Sequence, residues 1–229
     1  MLEQRLSEIL KANALRQKLI THPFFDRIGS ADLSRGQVAT FLGQWWHPLH
    51  YFPVFLSRLI SVCPEVRMKT AISKILFQEL GEGDAARAHE VIYVDTMTPL
   101  GFSRSDVAGA APFPATARLV AAYAESSSEM LAGLGFLYGT EVADLAMVSG
   151  IGTAVRRVTS ATRLAWVDIH VQQEPEHVSR ANDTVAPGFT EAEEKALLAG
   201  ADAMWRHWIA FFDGLERVVF APEAASIAS

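Results

Sequence analysis

The decisive segment of this chain reads Asp168-Ile169-His170-Val171-Gln172-Gln173-Glu174-Pro175-Glu176-His177. His170, Glu174 and His177 are spaced four and three residues apart, which places them within about 60° of one another on an α-helix. Trp166 and Val167 lie one turn before His170 on the same face. A face that begins apolar and continues with ionisable groups points those groups into the protein, where they persist only when paired or bound to a metal. The segment therefore predicts half of a metal site.

Pro175 leaves the identity of the acidic ligand open. A proline inside a helix removes one hydrogen bond and crowds the carbonyl group four residues earlier. If the helix only kinks there, Glu174 faces inward; if the helix ends there, Glu176 takes that place. The sequence is compatible with both arrangements.

The rest of the chain has helical periodicity, and no segment shows the sustained alternation that is typical of strands. We therefore predict an all-α protein, and a single domain over residues 1–229 (core about 21–220), because no linker rich in Pro, Gly and Ser divides it. The pattern predicts a helix over 2–20, a second that starts at a capping box of Ser34 and Gln37 and bends at Pro48 and Pro53, a third with Pro64 in its first turn, and a fourth capped by Asp84. A loop is predicted over about 101–114. Further helices are predicted over 115–123, over 128–148, over about 154–177 and beyond, and from a capping box of Thr190 and Glu193, with an interruption at Gly150 and Gly152.

Composition excludes several classes of function. The net charge of −6, with no cluster of Lys and Arg, argues against nucleic-acid binding. Charged residues interrupt every apolar run well before about 18 residues, which argues against a transmembrane helix. The one cysteine, Cys63, excludes an internal disulfide framework, and the N-terminus lacks the pattern of a signal peptide. We expect a cytoplasmic protein with a small-molecule substrate and no nucleic-acid or membrane partner.

The second half of the site is sought among ionisable residues on apolar helix faces. Glu79 follows Ile72, Ile75 and Leu76, and His89 precedes Ile92 and Tyr93 by one turn. Glu141 shares its face with Leu134, Tyr138, Leu145 and Val148. Each has a simpler alternative: His89 as a hydrogen-bonded core histidine, and Glu141 as the partner of Arg156 or Arg157 in a buried ion pair.

Together the candidates are three carboxylates and three imidazoles, which discriminates between metals. Structural zinc sites usually use thiolates, and calcium or magnesium cages are nearly all oxygen. Mixed His and carboxylate donors that project inward from bundle helices are typical of non-haem di-iron or di-manganese sites.

Three further residues are weaker candidates. Glu82 lies between two glycines and is read as a loop residue. His47 and His50, on an aromatic-rich helix, are candidates for a substrate pocket or a further ligand, with simple packing as the alternative. Cys63 has no basic neighbour in sequence that would lower its pKa, so we do not predict a nucleophile.

With these residues in view, the chain resembles the haem-oxygenase-like di-iron oxidases, in a superfamily that also holds thiaminase-like and pyrroloquinoline-quinone (PQQ) synthase-like proteins. The likeness is carried by His22-Pro23-Phe24 with Leu33-Ser34-x-x-Gln37 and Gln44-Trp45-Trp46-His47, by Glu79-Leu80-Gly81-Glu82-Gly83-Asp84 with His89, and by Glu141 with His170-x3-Glu174-x2-His177. The first stretch is similar to the superfamily in general, and the ligand set resembles the di-iron branch.

The resemblance implies a bundle of about seven to eight helices in which two irons (Fe2+/Fe3+) react with O2 as co-substrate. The implied ligands are Glu79, His89, Glu141, His170, Glu174 and His177. The implied activity is oxidation of a small amine or amino acid, by N-oxygenation, desaturation or C–C cleavage, in a biosynthetic pathway. We also expect a homodimer, and Arg163 as the partner of a substrate carboxylate.

Two alternatives stay open. One is a cofactorless PQQ-synthase-like oxidase or a thiaminase-like hydrolase on the same fold. The other is a non-catalytic helical binding protein whose polar core residues only direct packing. Whether iron or manganese is the native metal is also open.

Overall fold

The computed structural model describes residues 2–184 and 189–221, with only the backbone described for residues 2–5, 174, 175 and 182. Within these ranges the chain forms twelve α-helices and no β-strand, which confirms the all-α prediction. The number of helices is larger than the seven to eight expected. The twelve helices are α1 (Leu2–Ala12), α2 (Ala14–Ile20), α3 (Pro23–Ser30), α4 (Arg35–Val62), α5 (Val66–Glu79), α6 (His89–Met97), α7 (Arg104–Ala108), α8 (Pro114–Ser126), α9 (Met130–Glu141), α10 (Asp144–Val158), α11 (Ala165–Thr184) and α12 (Glu191–Val219).

The first predicted helix is in fact two helices. Asn13 separates α1 from α2, and its side-chain oxygen accepts a hydrogen bond from the backbone N–H of Leu15 at 2.8 Å. An asparagine that bonds the backbone in this way offers the chain an alternative to a continuous helix. The prediction of one helix over residues 2–20 is therefore wrong.

The two longest helices, α4 and α12, begin where the sequence predicts. Ser34 and Gln37 form a reciprocal capping box at the start of α4, and Thr190 and Glu193 form another at the start of α12. In each box the side chain of the third helical residue accepts a hydrogen bond from the backbone N–H of the cap residue. Helix α4 continues past both of its internal prolines to Val62.

Helices α9 and α12 approach each other closely, because glycines line their contact. A Cβ atom on Gly135 would lie 2.2 Å from the carbonyl oxygen of Leu197, and one on Gly200 would lie 2.7 Å from that of Ala132. Any larger side chain at these positions would force the helices apart. This contact holds α9, which ends at Glu141, in the interior.

The middle of the chain breaks at a different place from the one predicted. Helix α9 ends at Glu141 and α10 begins at Asp144 after a bend of 45°, whereas the periodicity predicts one helix over 128–148. Helix α10 then continues through Gly150 and Gly152, where a break is predicted. At Gly150 a Cβ atom would lie 2.6 Å from the ring of Phe25, so this glycine serves close packing against α3.

Other boundaries also differ. Residues 159–164 separate α10 from α11, so the predicted helix over about 154–177 is two helices. Asp84 caps a single 3-10 turn (Ala85–Arg87) rather than α6. The short helix α7 lies inside the predicted loop over about 101–114, and Pro64 precedes α5 instead of opening it.

The apolar side chains of all these helices meet in one core. Aromatic residues of α3, α4 and α12 contact one another there, with the Phe24 and Phe41 rings 5.0 Å apart and the Trp45 and Trp208 rings 5.0 Å apart. None of the helices within 2–184 and 189–221 is, alone, long and apolar enough to cross a membrane, and only α9 and α10 taken as a bent pair meet that criterion.

Candidate metal centre

Five of the six predicted ligands converge in the interior of the bundle. Glu79, His89, Glu141, His170 and His177, from α5, α6, α9 and α11, are between 1% and 7% exposed. The sixth, Glu174, lies in α11, but its side chain is outside the described residues, as is that of Pro175. Four separate helices therefore send ionisable side chains to one place.

A tight turn brings Glu79 and His89 together. Glu79 is the last residue of α5 and His89 the first of α6. Between them Gly81, Glu82 and Gly83 have φ values of 84°, 58° and 93°, in the left-handed region that favours glycine. The turn places His89 Nδ1 3.0 Å from Glu79 Oε2.

The hydrogen bonds of two histidine rings decide which nitrogen each presents. His170 Nδ1 lies 2.7 Å from the carbonyl oxygen of Trp166 and so donates to it, which leaves Nε2 with its lone pair. His89 Nε2 lies 3.0 Å from Gln173 Oε1 and donates to it, which leaves Nδ1 facing Glu79. Burial would lower the pKa of His89, but the Glu79 carboxylate raises it. The two rings lie 4.8 Å apart, centre to centre. An acceptor behind each imidazole is the usual support of a metal-binding histidine.

Glu141 and His177 form a second pair, between α9 and α11. His177 Nδ1 lies 3.5 Å from Glu141 Oε2. The alternative that Glu141 pairs with Arg156 or Arg157 is not realised, since Arg156 is exposed and Arg157 donates to the carbonyl oxygens of Gly29 and Ala31.

Asp144 belongs to the same group, although sequence reasoning missed it. It is the first residue of α10, and it lines one cavity together with Glu79, Glu141, His170 and His177. Within the predicted helix over 128–148, periodicity places Leu145 on the face of Glu141, but Leu145 is exposed. No local pattern predicts the break before Asp144 that brings its carboxylate to the cavity. We refer to Glu79, His89, Glu141, Asp144, His170 and His177 as the carboxylate–imidazole cluster.

The charges of the cluster shift its pKa values strongly. Burial alone would raise the pKa of Glu79, but the neighbouring His89 lowers it to about 2. Burial would lower the pKa of His177, but Glu141 raises it to about 9. Burial, helped by His89, lowers the pKa of His170 to about 4. Burial, together with Glu141 and Glu79, raises the pKa of Asp144 to about 7. Strongly shifted values in one cleft are typical of a functional site.

The cluster contains donor atoms that the protein leaves unsatisfied. His89 Nδ1, Glu141 Oε1, Asp144 Oδ2 and His177 Nε2 are buried and have no hydrogen-bond partner among the described residues. His89 Nδ1 is near Glu79 Oε2, but its direction does not suit a hydrogen bond. Buried polar atoms are nearly always paired, and each exception calls for an explanation such as a missing ion. Nitrogen and carboxylate oxygen donors fit a transition metal. Among the side chains that are described, however, no three His, Cys, Asp or Glu groups are spaced to hold an ion as they stand.

The remaining wall of the cavity is aromatic and apolar. It is formed by Trp45, Pro48, Leu49, Phe52, Tyr123, Thr140, Trp166 and Trp208, and the empty volume including the opening to solvent is about 480 Å³. The Tyr123 hydroxyl lies 2.8 Å from Thr140 Oγ1 and accepts a hydrogen bond from Trp208 Nε1 at 3.1 Å. No lysine or arginine is among the described residues that line it.

The structure keeps the weaker candidates away from this cavity. His47 contacts the carbonyl oxygen of Ala110, and the exposed His50 pairs with Glu90. Glu82 pairs with Arg87 in the α5–α6 turn. None of the three lines the cavity.

The predictions for α11 and its approach are also corrected. Arg163 is 89% exposed and pairs with Asp168, so it is not placed to bind a substrate carboxylate in the cavity. Glu176 is exposed and bonds Arg180 and Gln78, so it is not an inward-facing acid. Of the two acids that the sequence left open, only Glu174 remains a candidate.

Comparison with known proteins gives the family of this arrangement. A family profile described as iron-containing redox enzyme matches residues 39–209, which include every residue of the cluster. The chain belongs to this family. Among curated proteins, this iron-containing redox enzyme is 21% identical over 218 residues to the 4-aminobenzoate synthase of Chlamydia pneumoniae, covering 91% of this chain and 96% of that protein.

Solved structures confirm the haem-oxygenase-like fold. A CADD-like protein of unknown function from Nostoc punctiforme superposes with a TM-score of 0.80 at 16% identity, covering 94% of this chain and 96% of that one. A domain of unknown function with a heme oxygenase-like fold from Shewanella denitrificans gives 0.75 at 16% identity, covering 100% and 97%. A TenA homologue from Pseudomonas syringae gives 0.72 at 14% identity, covering 93% and 92%. At these identities the likeness concerns the fold alone.

Proposed function

We propose that this iron-containing redox enzyme is a di-iron, O2-dependent oxidase or oxygenase of a small amine with an apolar or aromatic body. One observation carries the proposal: four buried donor atoms without hydrogen-bond partners among the described residues, on α6, α9, α10 and α11, belong to one cluster. A chain that buries such groups without a ligand loses stability.

The proposed ligands are Glu79, His89, Glu141, His170 and His177, with Glu174 as the predicted sixth. Iron, when bound, supplies the redox chemistry with O2. The protein holds the donors in place through Gln173 and the Trp166 carbonyl, which orient two of the imidazoles. A mixed set of imidazoles and carboxylates from bundle helices supports two metals rather than one.

The cavity wall supports an apolar substrate. Trp45, Phe52, Trp166 and Trp208 line the cavity beside the cluster and give it an apolar, aromatic wall. Because no described arginine or lysine lines the cavity, a substrate carboxylate would have no counter-charge there, whereas an amine faces the carboxylates. The name of one relative, 4-aminobenzoate synthase, gives an aromatic amine as its product, so it supports the aromatic character of the ligand and does not identify the substrate. N-oxygenation, desaturation and C–C cleavage are the proposed outcomes to be tested.

The position and the pKa of the Cys63 thiol argue against the thiaminase-like alternative. A hydrolase of that kind needs a nucleophilic thiol in the cavity, and Cys63 is buried elsewhere and does not line it. Burial also raises the pKa of the Cys63 thiol to about 11, so the reactive thiolate is scarce at neutral pH.

Anaerobic loading with ferrous iron tests the proposal. We expect about two irons per chain by elemental analysis and an absorbance change when O2 is admitted. The variant His170→Ala is expected to lose iron, whereas Glu176→Gln, which removes an outward-facing acid of the same helix, is expected to keep it. Wild-type protein that takes up no iron would reject the proposal. Iron uptake without any reaction with O2 would favour a metal-carrying protein.

A substrate screen then tests the chemical class. O2 consumption by the iron-loaded enzyme is compared across aromatic amines, aliphatic amines, amino acids and fatty acids. We expect the aromatic amines to stimulate it most. Equal or greater stimulation by fatty acids alone would contradict the inferred amine preference.

A further inference from the structure

Asp144 is the one carboxylate of the cluster that neither the sequence motifs nor the proposed ligand set includes. Its backbone position follows from the break at residues 142–143, which ends α9 at Glu141 and starts α10 at Asp144. The 45° bend between the two helices brings both carboxylates to the wall of one cavity. Asp144 is thus placed by tertiary packing, not by helical periodicity.

The surroundings of Asp144 offer it no ordinary partner. Its Oδ2 atom is buried without a hydrogen-bond partner among the described residues. No described lysine or arginine lines the cavity, and the charged neighbours of Asp144 are the acids Glu79 and Glu141 and the imidazoles of His177 and His89. The position at a helix N-terminus favours a negative charge, but an acid that serves only the helix dipole gains nothing from an unpaired, buried oxygen.

Two residues that line the cavity beside Asp144 also have buried donor atoms without hydrogen-bond partners. Glu141, 3% exposed, has an unpartnered Oε1, and His177, 4% exposed, has an unpartnered Nε2. Both line the cavity together with Asp144. An acid, an imidazole and a second acid, each with a free donor atom, are suited to a common divalent metal.

The balance of charge supports the same conclusion. Two ferrous ions carry four positive charges, while Glu79, Glu141 and the predicted ligand Glu174 carry three negative charges. Asp144 would supply the fourth and bring the site to neutrality, which lowers the cost of burying its charges.

We infer that Asp144 is an additional ligand of the metal centre. The inference rests on the proposed function, since it takes the bound metal to be the iron pair. It assigns to α10 a part in metal binding in addition to the four helices already named.

The test compares Asp144→Asn with Asp168→Asn. Both substitutions remove one aspartate charge at the start of a helix, but Asp168 is on the outside of α11 beside Arg163. Metal-free protein is titrated anaerobically with Fe2+ and, separately, with Co2+, whose visible absorption reports its ligands. For Asp144→Asn we expect at least about tenfold weaker binding of one of the two ions and an altered Co2+ spectrum. We expect Asp168→Asn to match the wild type.

Stability separates a ligand from a structural residue. Metal-free Asp144→Asn is expected to melt near the wild-type temperature, because the substitution relieves repulsion from Glu79 and Glu141 but also removes attraction to His177 and His89. A clearly lower melting temperature, or wild-type metal stoichiometry, affinity and spectrum in Asp144→Asn, would overturn the inference and leave the proposed function standing. Wild-type protein that binds neither ion would overturn both.

Discussion

Gln44 and Glu141 are both buried polar side chains, but they differ in whether their polar atoms have hydrogen-bond partners. Gln44 Nε2 donates to the carbonyl oxygen of Ala111, and Gln44 Oε1 accepts from the N–H of Phe113 and the hydroxyl of Thr116. Glu141 has one oxygen near His177 and the other without a partner. A satisfied polar group stabilises the fold, whereas an unsatisfied one costs stability and is retained for a ligand. The difference distinguishes a structural polar group from a functional one.

The largest expected effect is at Glu141. In Glu141→Gln the carboxylate is lost at nearly constant volume, so iron binding should weaken by more than about 100-fold, beyond the usual effect of a residue that only supports a ligand. The metal-free protein should melt clearly below the wild type at neutral pH, because Glu141→Gln also removes the buried ion pair with His177. Iron titration and thermal melting check both. An unchanged iron affinity would remove Glu141 from the functional group.

A pH series should move stability and metal affinity in opposite directions. The pKa of His177 is raised from 6.5 to about 9, so its pairing stabilises the metal-free protein below pH 6.5 and is lost as the pH rises through about 9. Iron must displace that proton, so its affinity should rise about tenfold per pH unit between about 7 and 9.

Denaturant unfolding and iron titration at several pH values measure the two trends. His177→Gln should flatten the loss of metal-free stability in this range. An iron affinity that does not change with pH would show that His177 keeps its proton and does not bind the metal.

At Gln44 the expected effect is on stability alone. Gln44→Leu leaves buried partners unsatisfied and should cost about 2–3 kcal/mol. Thr116→Val removes one of the three hydrogen bonds and should cost about 1 kcal/mol. Both variants should bind iron as the wild type does. Loss of iron by Gln44→Leu, at a temperature where it is folded, would contradict the distinction from Glu141.

The smallest expected effect is at Gln173, which accepts the hydrogen bond of His89 Nε2. Gln173→Leu should weaken iron binding by about tenfold, because His89 loses the group that orients it. Gln173→Glu keeps an acceptor and should retain wild-type affinity. The exposed neighbour Gln172, changed to Leu, is the control. Equal affinities in Gln173→Leu and Gln172→Leu would show that the contact does not support the site.

Some features could be predicted because they are local. The capping boxes at Ser34 and Thr190 depend on residues within one turn, and both are present. Others could not, because distant contacts decide them. Gly150 is predicted as a break, yet it lies inside α10, where its missing side chain admits the ring of Phe25.

The break between α9 and α10, at residues 142–143, brings Asp144 to the cavity, but neither of these residues is a glycine or proline that would predict it. It follows the part of α9 that packs closely on α12 through Gly135 and Gly200. Helical periodicity therefore predicts Leu145, not Asp144, on the same face as Glu141. A contact between distant helices decided the outcome, and no local pattern describes such a contact.

By itself, the sequence determined the helical class, several helix starts and the kinds of donor atom available, since each depends on residues within a few positions of one another. The tertiary structure decided which donors share a cavity, which nitrogen of His89 and of His170 is hydrogen-bonded to its neighbour, that Glu176 and Arg163 lie outside the cavity, and that Asp144 lines it. Helical periodicity specifies the relative directions of side chains on one helix. The rotation of that helix and the point where it ends are set by the packing of its neighbours.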